Sequence, residues 1–407
     1  MIKFLTAHTF EMEDPKAAEK EILEQLKPEQ SLLKNSAGLV FCSLDFITSG
    51  VAERVCKALP FEVIGCTTQS IAVPGASGEL MLAAGVLTSD DSRFAAGLSE
   101  PLDADIEDRL TGLYQSVSGA LGSSPSQMIM IHPKLFNFPG DRTVKVFDRL
   151  SNGIPIFGTV ALDEVLGSRS PMVIHNGSVY PDRIALLLTS GVESGFCSDF
   201  FYAPEVHFPG ENKHVMRNRL GTGLSGNRLP GLDQPLLVTE ARDNQLISVN
   251  NIPASEFMNR IGIVSKNQLD VISGFPILID NHDGAGMRPN AIHGIEKGGV
   301  LRCGATITTG AALKLGSMVR EDVLRSTEHL ITSIKQENGR NGHLIFSCYG
   351  RSIVLVDLTD ETAICRRQME GRSYLFIYSG GEFCPVYDRE GGVHNHFHQY
   401  SIVSASF

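Results

Sequence analysis

Near the carboxyl end three short runs collect side chains able to do chemistry. They are LIFSCYGR from Leu344 to Arg351, YSGGEFCP from Tyr378 to Pro385, and HFHQYSI from His396 to Ile402. Arg351 is a permanent cation whose planar fork suits a carboxylate or phosphate, and Cys348, three residues before it, would feel that field as a lowered thiol pKa. Glu382 and Cys384 follow a Gly-Gly pair, a place where a fold turns sharply and can line a pocket. A buried Glu382 needs a cation, and Arg302 and Arg351 are the candidates. His394, His396 and His398 alternate. On a continuous strand they would share one face and could offer three imidazoles to a metal. The glycines at 391 and 392 instead favour an irregular loop, with His398 as a structural residue.

Two further places carry weaker signals. Cys66 ends the apolar run EVIGC and is followed by Thr67 and Thr68. It reads either as a nucleophile or, more plainly, as a small buried residue. His175, in MVIHNGSVYPD, can serve as an axial haem ligand, although a turn-forming histidine before Asn-Gly is the plainer role. The chain lacks C-x-x-C, C-x-x-C-H, G-x-S-x-G and H-E-x-x-H, and GTGLSG (221–226) fits no phosphate loop.

The elements that must position these groups alternate in type. Helices are expected over Lys16–Leu26, Phe46–Leu59, Asp103–Leu121, Thr143–Leu150, Ala254–Ile261, Met318–Lys335 and Glu361–Met369, with apolar residues at helical spacing in the first, third and sixth. Strands are expected at Gly38–Leu44, 62–66, Met128–Ile131, Ile154–Phe157, Met172–Ile174, Ile184–Leu188 and Phe196–Tyr202, and around the motifs after Gly342. The strand–helix–strand order from Met128 to Phe157 requires some parallel pairing. Leu80–Thr88 and Arg93–Leu98 read as a hairpin across SDDS. The Gly-, Asn- and Pro-rich stretch Phe208–Gln234 reads as a linker. An α/β or mixed α+β fold follows, with two halves, 1–235 and 236–407, their mixed sheets packed together and helices outside.

Composition agrees with that reading. The 407 residues are 42% hydrophobic and 20% charged, with a net charge of −11, so a nucleic-acid surface is not expected. The acidic residues soon after the short apolar start argue against a signal peptide, and no run is long enough for a membrane helix. Eight scattered cysteines fit a reducing cytoplasm.

The motifs together resemble the FIST family. Its pattern "SC-x-G-R" stands here as Ser347, Cys348, Gly350 and Arg351, "GE-x-x-P" as Gly381, Glu382 and Pro385, and "H-N-x-T" as His398, Gln399 and Ser401. VIGCTTQSIAVPG (Val63–Gly75) is similar to "IGC-T-T-x-G-E", with Gln69 and Ser70 in place of Gly and Glu. PIFGTVALDE and Leu236–Phe257 resemble later segments of the same family. The resemblance implies a cytoplasmic small-ligand sensor without catalysis, signalling through a separate histidine kinase or cyclic-dinucleotide enzyme. It further implies amino acids or haem, with nitric oxide sensing, as ligands. The candidate ligand-binding set is Cys66, Thr67, Thr68, Arg302, Cys348, Arg351, Glu382 and His398. An α-amino acid would place its carboxylate on Arg351 and its ammonium on Glu382. The rival readings are a thiol-dependent hydrolase or transferase built on Cys66 or Cys348, and a scaffold with no ligand.

Overall fold

The structure, a computed structural model, describes residues 2–102, 105–134, 139–162, 170–192, 194–200, 236–260, 276–282, 286–316, 318–337, 339–355, 357–387 and 392–407. The expected linker, 208–234, and the GTGLSG segment lie outside the described residues.

Three six-stranded mixed sheets face one another. The first runs Ile2–Thr9, Leu82–Ser89, Asn35–Cys42, Val63–Thr67, Val173–His175, Ser178–Tyr180. The second runs Val393–His398, Glu382–Tyr387, Ile156–Val160, Gln127–His132, Ala185–Ser190, Arg93–Leu98. The third runs Gly195–Phe200, Ser401–Ser406, Gly342–Cys348, Ser373–Ser379, Ile71–Val73, Ala76–Gly78. One apolar core lies among them, fed by Phe41 and Ile64 from the first, Ile131 and Phe157 from the second, and Phe346 and Ile377 from the third. Phe157 and Phe346 stack with centroids 4.9 Å apart across that core.

Each sheet carries helices on its outer side. Pro15–Leu26 and Val51–Ala58 cover the first, Ile106–Leu121 and Gly140–Ser151 the second, and Arg320–Gln336 and Thr359–Gln368 the third. This is an α+β fold with the helices outside, as the pattern required. The Met128–Phe157 unit gives a parallel pair, Gln127–His132 with Ile156–Val160, crossed by the Gly140–Ser151 helix. Gly65 and Gly158 sit in two of the parallel pairs, where a Cβ would lie 1.7 Å from the Val40 carbonyl oxygen and 2.1 Å from that of Met130. The motif glycines are therefore packing requirements.

A fourth, eight-stranded sheet lies between Leu236 and Leu315. Its two ends are Arg288–Asn290 and Ile292–Ile295, consecutive in the chain, so the sheet wraps round its own core of Val238, Val249, Phe257, Leu301 and Leu313. The other sheets draw on both sides of this β-unit: Ile71–Val73 pairs with Ser373–Ser379, and Ile156–Val160 with Glu382–Tyr387.

Two expectations are corrected. The helix expected at Phe46–Leu59 is two helices, Leu44–Thr48 and Val51–Ala58, interrupted at Gly50 with φ +80°. Leu82–Ser89 and Arg93–Leu98 are not a hairpin. The Ser89 hydroxyl accepts the Asp91 and Ser92 N–H groups, and the tight turn passes the chain from the first sheet to the second.

Candidate functional site

The C-terminal motifs do converge, at the ends of neighbouring strands. Cys348 ends one strand and pairs in parallel register with Ser379, the end of the next. The chain then turns through Gly380 and Gly381 into Glu382–Tyr387, where Glu382 pairs with Thr159 on one side and His398 on the other. Ser401 opens the last strand and donates to Glu382 Oε2 at 2.7 Å.

Glu382 is fully buried, and its Oε1 accepts no hydrogen bond among the described residues. Ser379 stands near but donates to the Gly381 carbonyl at 2.6 Å, so its proton is already used. Burial pushes the Glu382 carboxyl up to about 8, against the opposing pull of Ser401, Ser379, Arg351 and Cys348. Near neutrality it holds its proton. The Cys348 thiol beside it is pushed up by burial and by the Glu382 charge.

Arg351 is also fully buried, and its ion pair is with Glu361, Nη2 to Oε1 at 2.8 Å. Its other N–H groups donate to Ser347, Ser326, Thr327 and the Val323 carbonyl at 2.8–3.1 Å. Glu361 in turn accepts from Thr327, Ser347 and Tyr378 as well. Both charges are thus enclosed by hydrogen bonds from three helices and two strands. The expected placement of a ligand carboxylate on Arg351 is corrected: its fork is spent on holding the third sheet to its helices. Composition gave no sign of Glu361 as the partner, because it lies in a polar helix, ten residues away.

The remaining predicted residues are dispersed. Cys66 lies buried in the shared core, its thiol pushed up by burial, which disfavours the thiolate. Thr67 Oγ1 accepts from Met172 N, and Thr68 Oγ1 donates to the Tyr378 carbonyl at 2.6 Å, so both hydroxyls join strands. Arg302 is in the β-unit and pairs with Glu296, so it is not Glu382's cation. His398 is buried, held neutral by desolvation with a value of about 3, and its Nε2 meets the Cys384 carbonyl at 3.0 Å.

The histidine segment is a regular strand, Val393–His398, rather than the irregular loop expected there. His394, His396 and His398 share one face, running from exposed to buried. Among the described residues there is no cluster of three or more His, Cys, Asp or Glu able to hold a metal. His175 lies apart from the C-terminal motifs, on the first sheet. Its Nε2 lies 3.5 Å from the Glu62 carboxylate, it precedes the Asn176-Gly177 turn of a hairpin, and it lines none of the clefts below.

Sequence reasoning missed a cleft at the seam between the β-unit and the main body. It measures about 170 Å³ and is bounded by the Gly140–Ser151 helix, the Val393–His398 strand and the β-unit strands Ile277–Asp280 and Arg288–Asn290. The helix contributes Asp141, Lys145 and Asp148, spaced i, i+4 and i+7 on one face. Opposite stand Arg288, Asn281, Asn290 and Thr306. The Thr306 Oγ1 is buried without a hydrogen-bond partner among the described residues. Asn395 donates to Asp148 at 2.6 Å, and burial raises the Asp148 carboxyl. A smaller cleft of about 40 Å³, lined by His132, Lys134, Gly140, Asn244 and Gly380, lies on the other side of Phe397. Gln399 clamps the seam, its Oε1 accepting from Ala291 N at 2.9 Å. The helical spacing of the three charges was the signal available in the sequence.

The arrangement is an α+β body and a separately cored β-unit with a charged cleft at their seam. The chain belongs to the FIST family: the FIST N domain matches residues 36–252 and the FIST C domain residues 246–385. FIST domains are associated with small-ligand sensing in signalling proteins. No curated protein matches the chain. No helix among the described residues is long and apolar enough to cross a membrane.

Proposed function

We propose that this chain is a sensor that binds a small zwitterion, an α-amino acid in the first instance, in the seam cleft. The observation that carries the reading is the cleft's lining. Two carboxylates from one helix face an arginine across a space bordered by an unpartnered buried hydroxyl, Thr306 Oγ1. An ammonium suits Asp141 and Asp148, and a carboxylate suits the Arg288 fork. Binding there joins the β-unit to the main body, which supplies a conformational output without chemistry at a thiol. That output passes to a separate protein, a histidine kinase or a cyclic-dinucleotide enzyme, in keeping with the family's association with signalling. Eight free cysteines, seven of them buried, fit work in the cytoplasm. Haem is not part of the reading, because His175 is placed against Glu62 and the cleft is smaller than the roughly 300–1,000 Å³ of drug-sized ligand sites.

Isothermal titration of the full chain with the common L-amino acids tests the proposal. At least one should bind, and Arg288→Ala should weaken it by about tenfold or more, as loss of a charge-assisted pair implies. Arg351→Lys, if folded, should leave the affinity unchanged. Absence of binding by every amino acid, or equal binding by the Arg288 variant, would overturn the assignment.

A further inference from the structure

One corner of the main body leaves large apolar side chains in the open. Phe10 and Leu80 are the two most exposed large hydrophobics among the described residues, at 51% and 49%. Both emerge from the same end of the ladder between Ile2–Thr9 and Leu82–Ser89, whose last pair is Thr9 with Leu82. The Phe10 ring lies over Gly78, where a Cβ would come within 3.0 Å of it, and stands edge-on to His8 with centroids 5.7 Å apart. Gly78 closes Ala76–Gly78, the end strand of the third sheet, which among the described residues pairs with Ile71–Val73 alone. We propose that Phe10, Leu80 and the outer edge of Ala76–Gly78 dock an extended segment of another protein, one that carries an apolar residue between lysines or arginines.

Charge selects the occupant. The two segments that present the pair, 8–15 and 74–82, carry Glu11, Glu13, Asp14 and Glu79 and no lysine or arginine. Lys16 is the first cation beyond them, on the helix Pro15–Leu26. Glu13 and Glu79 are exposed and make no ion pair among the described residues. Such a rim repels an anionic membrane or a nucleic-acid backbone and draws in a cationic segment. The backbone beneath the anchors is fixed. Thr9 Oγ1 accepts the Glu11 N–H at 3.0 Å, and Glu11 Oε1 accepts those of Glu13 and Asp14 at 2.8 and 2.9 Å. Met81, next to Leu80, is fully buried. Phe10 and Leu80 are therefore held outward before any partner arrives, which lowers the ordering cost of covering them. The unpaired sheet edge beside them adds backbone hydrogen bonds for a strand. This corner shares no residue with the lining of the seam cleft, so the inference stands apart from the zwitterion reading.

Fluorescence anisotropy of the full chain with a short labelled peptide of alternating Lys and Leu tests the proposal. The peptide should bind, severalfold more weakly at about 0.5 M salt than at about 0.05 M, and its Glu/Leu counterpart should not bind. Phe10→Ser, Leu80→Ser and Glu79→Lys should each weaken binding by about tenfold. Leu237→Ser, at an exposed apolar residue in the β-unit, should leave it unchanged. Bound peptide should also slow amide exchange at Ala76–Leu80. All four replaced residues are exposed, so thermal midpoints near the wild type confirm that the variants fold. Absence of binding overturns the proposal. Equal binding by every variant also overturns it, because the attraction would then be the net charge of −11 alone. Sedimentation of the free chain separates the remaining occupant: a dimer that Phe10→Ser disperses would give the corner to a second copy and overturn the basic segment.

Discussion

At the scale of single residues, the same motif holds groups with opposite roles. Arg351 and Cys348 are three positions apart, yet the arginine is enclosed by Glu361 and four other acceptor groups, while the thiol faces a carboxyl that keeps its proton. A buried pair broken on one side leaves the other charge uncompensated, which costs about 3–5 kcal/mol. Arg351→Met and Glu361→Met should each lower stability by about that amount in urea unfolding, and the double variant should lose less than either single one. Single losses within about 0.5 kcal/mol of zero would show that the network is not what holds these helices. Glu382 differs in kind. It has one satisfied oxygen and one orphan, so Glu382→Gln, which removes the ionisable group and retains an acceptor for Ser401, should preserve the fold.

At the scale of elements, legibility followed periodicity. Helices with one apolar stripe, such as Ile106–Leu121 with Leu110, Leu113 and Val117 buried, were readable because burial and spacing agree. The Leu82–Ser89 strand is buried at every position and so has no alternating pattern. Its partners, Ile2–Thr9 and Asn35–Cys42, are long-range choices that run length does not encode. The motif chemistry was legible as residue types. Its geometry was not, since Arg351 depends on Glu361, Ser326 and Thr327 from two helices with no motif of their own. The cleft was hidden for the same reason: its walls come from segments between 141 and 397. Gln399 is the element-scale test. Its Oε1 holds Ala291, and a Cβ at Gly304 would lie 2.1 Å from that same oxygen, so a glycine there makes room for the longer amide. Gln399→Ala should raise amide exchange in Arg288–Ile295 while leaving Gly342–Cys348 protected. Uniform exchange changes in both would place Gln399 in the global fold instead of at the seam.

At the scale of the whole molecule, buried titratable groups set a pH profile with two limbs. Desolvation holds His132, His293 and His343 at about 4 and His398 at about 3, below the ordinary 6.5. Below 6.5 the unfolded chain takes up protons that these imidazoles refuse, so stability falls as pH drops toward 4. Glu382 acts oppositely. With its folded value at about 8 against an ordinary 4.5, its contribution is complete at low pH and is lost as pH rises through the interval to 8. Between 4.5 and 6.5 these four imidazoles outweigh one carboxyl and stability climbs. Above 6.5 the imidazoles are neutral in both states and the carboxyl alone remains, so stability declines. The thermal midpoint should therefore peak near pH 6.5, and Glu382→Gln should flatten the alkaline limb up to pH 8 while leaving the acid limb in place. Calorimetry of the two proteins across that range checks both limbs at once. A wild-type midpoint that keeps rising to pH 8 would mean that Glu382 is ionised in the folded protein, with a cation or donor on the oxygen that accepts no hydrogen bond here.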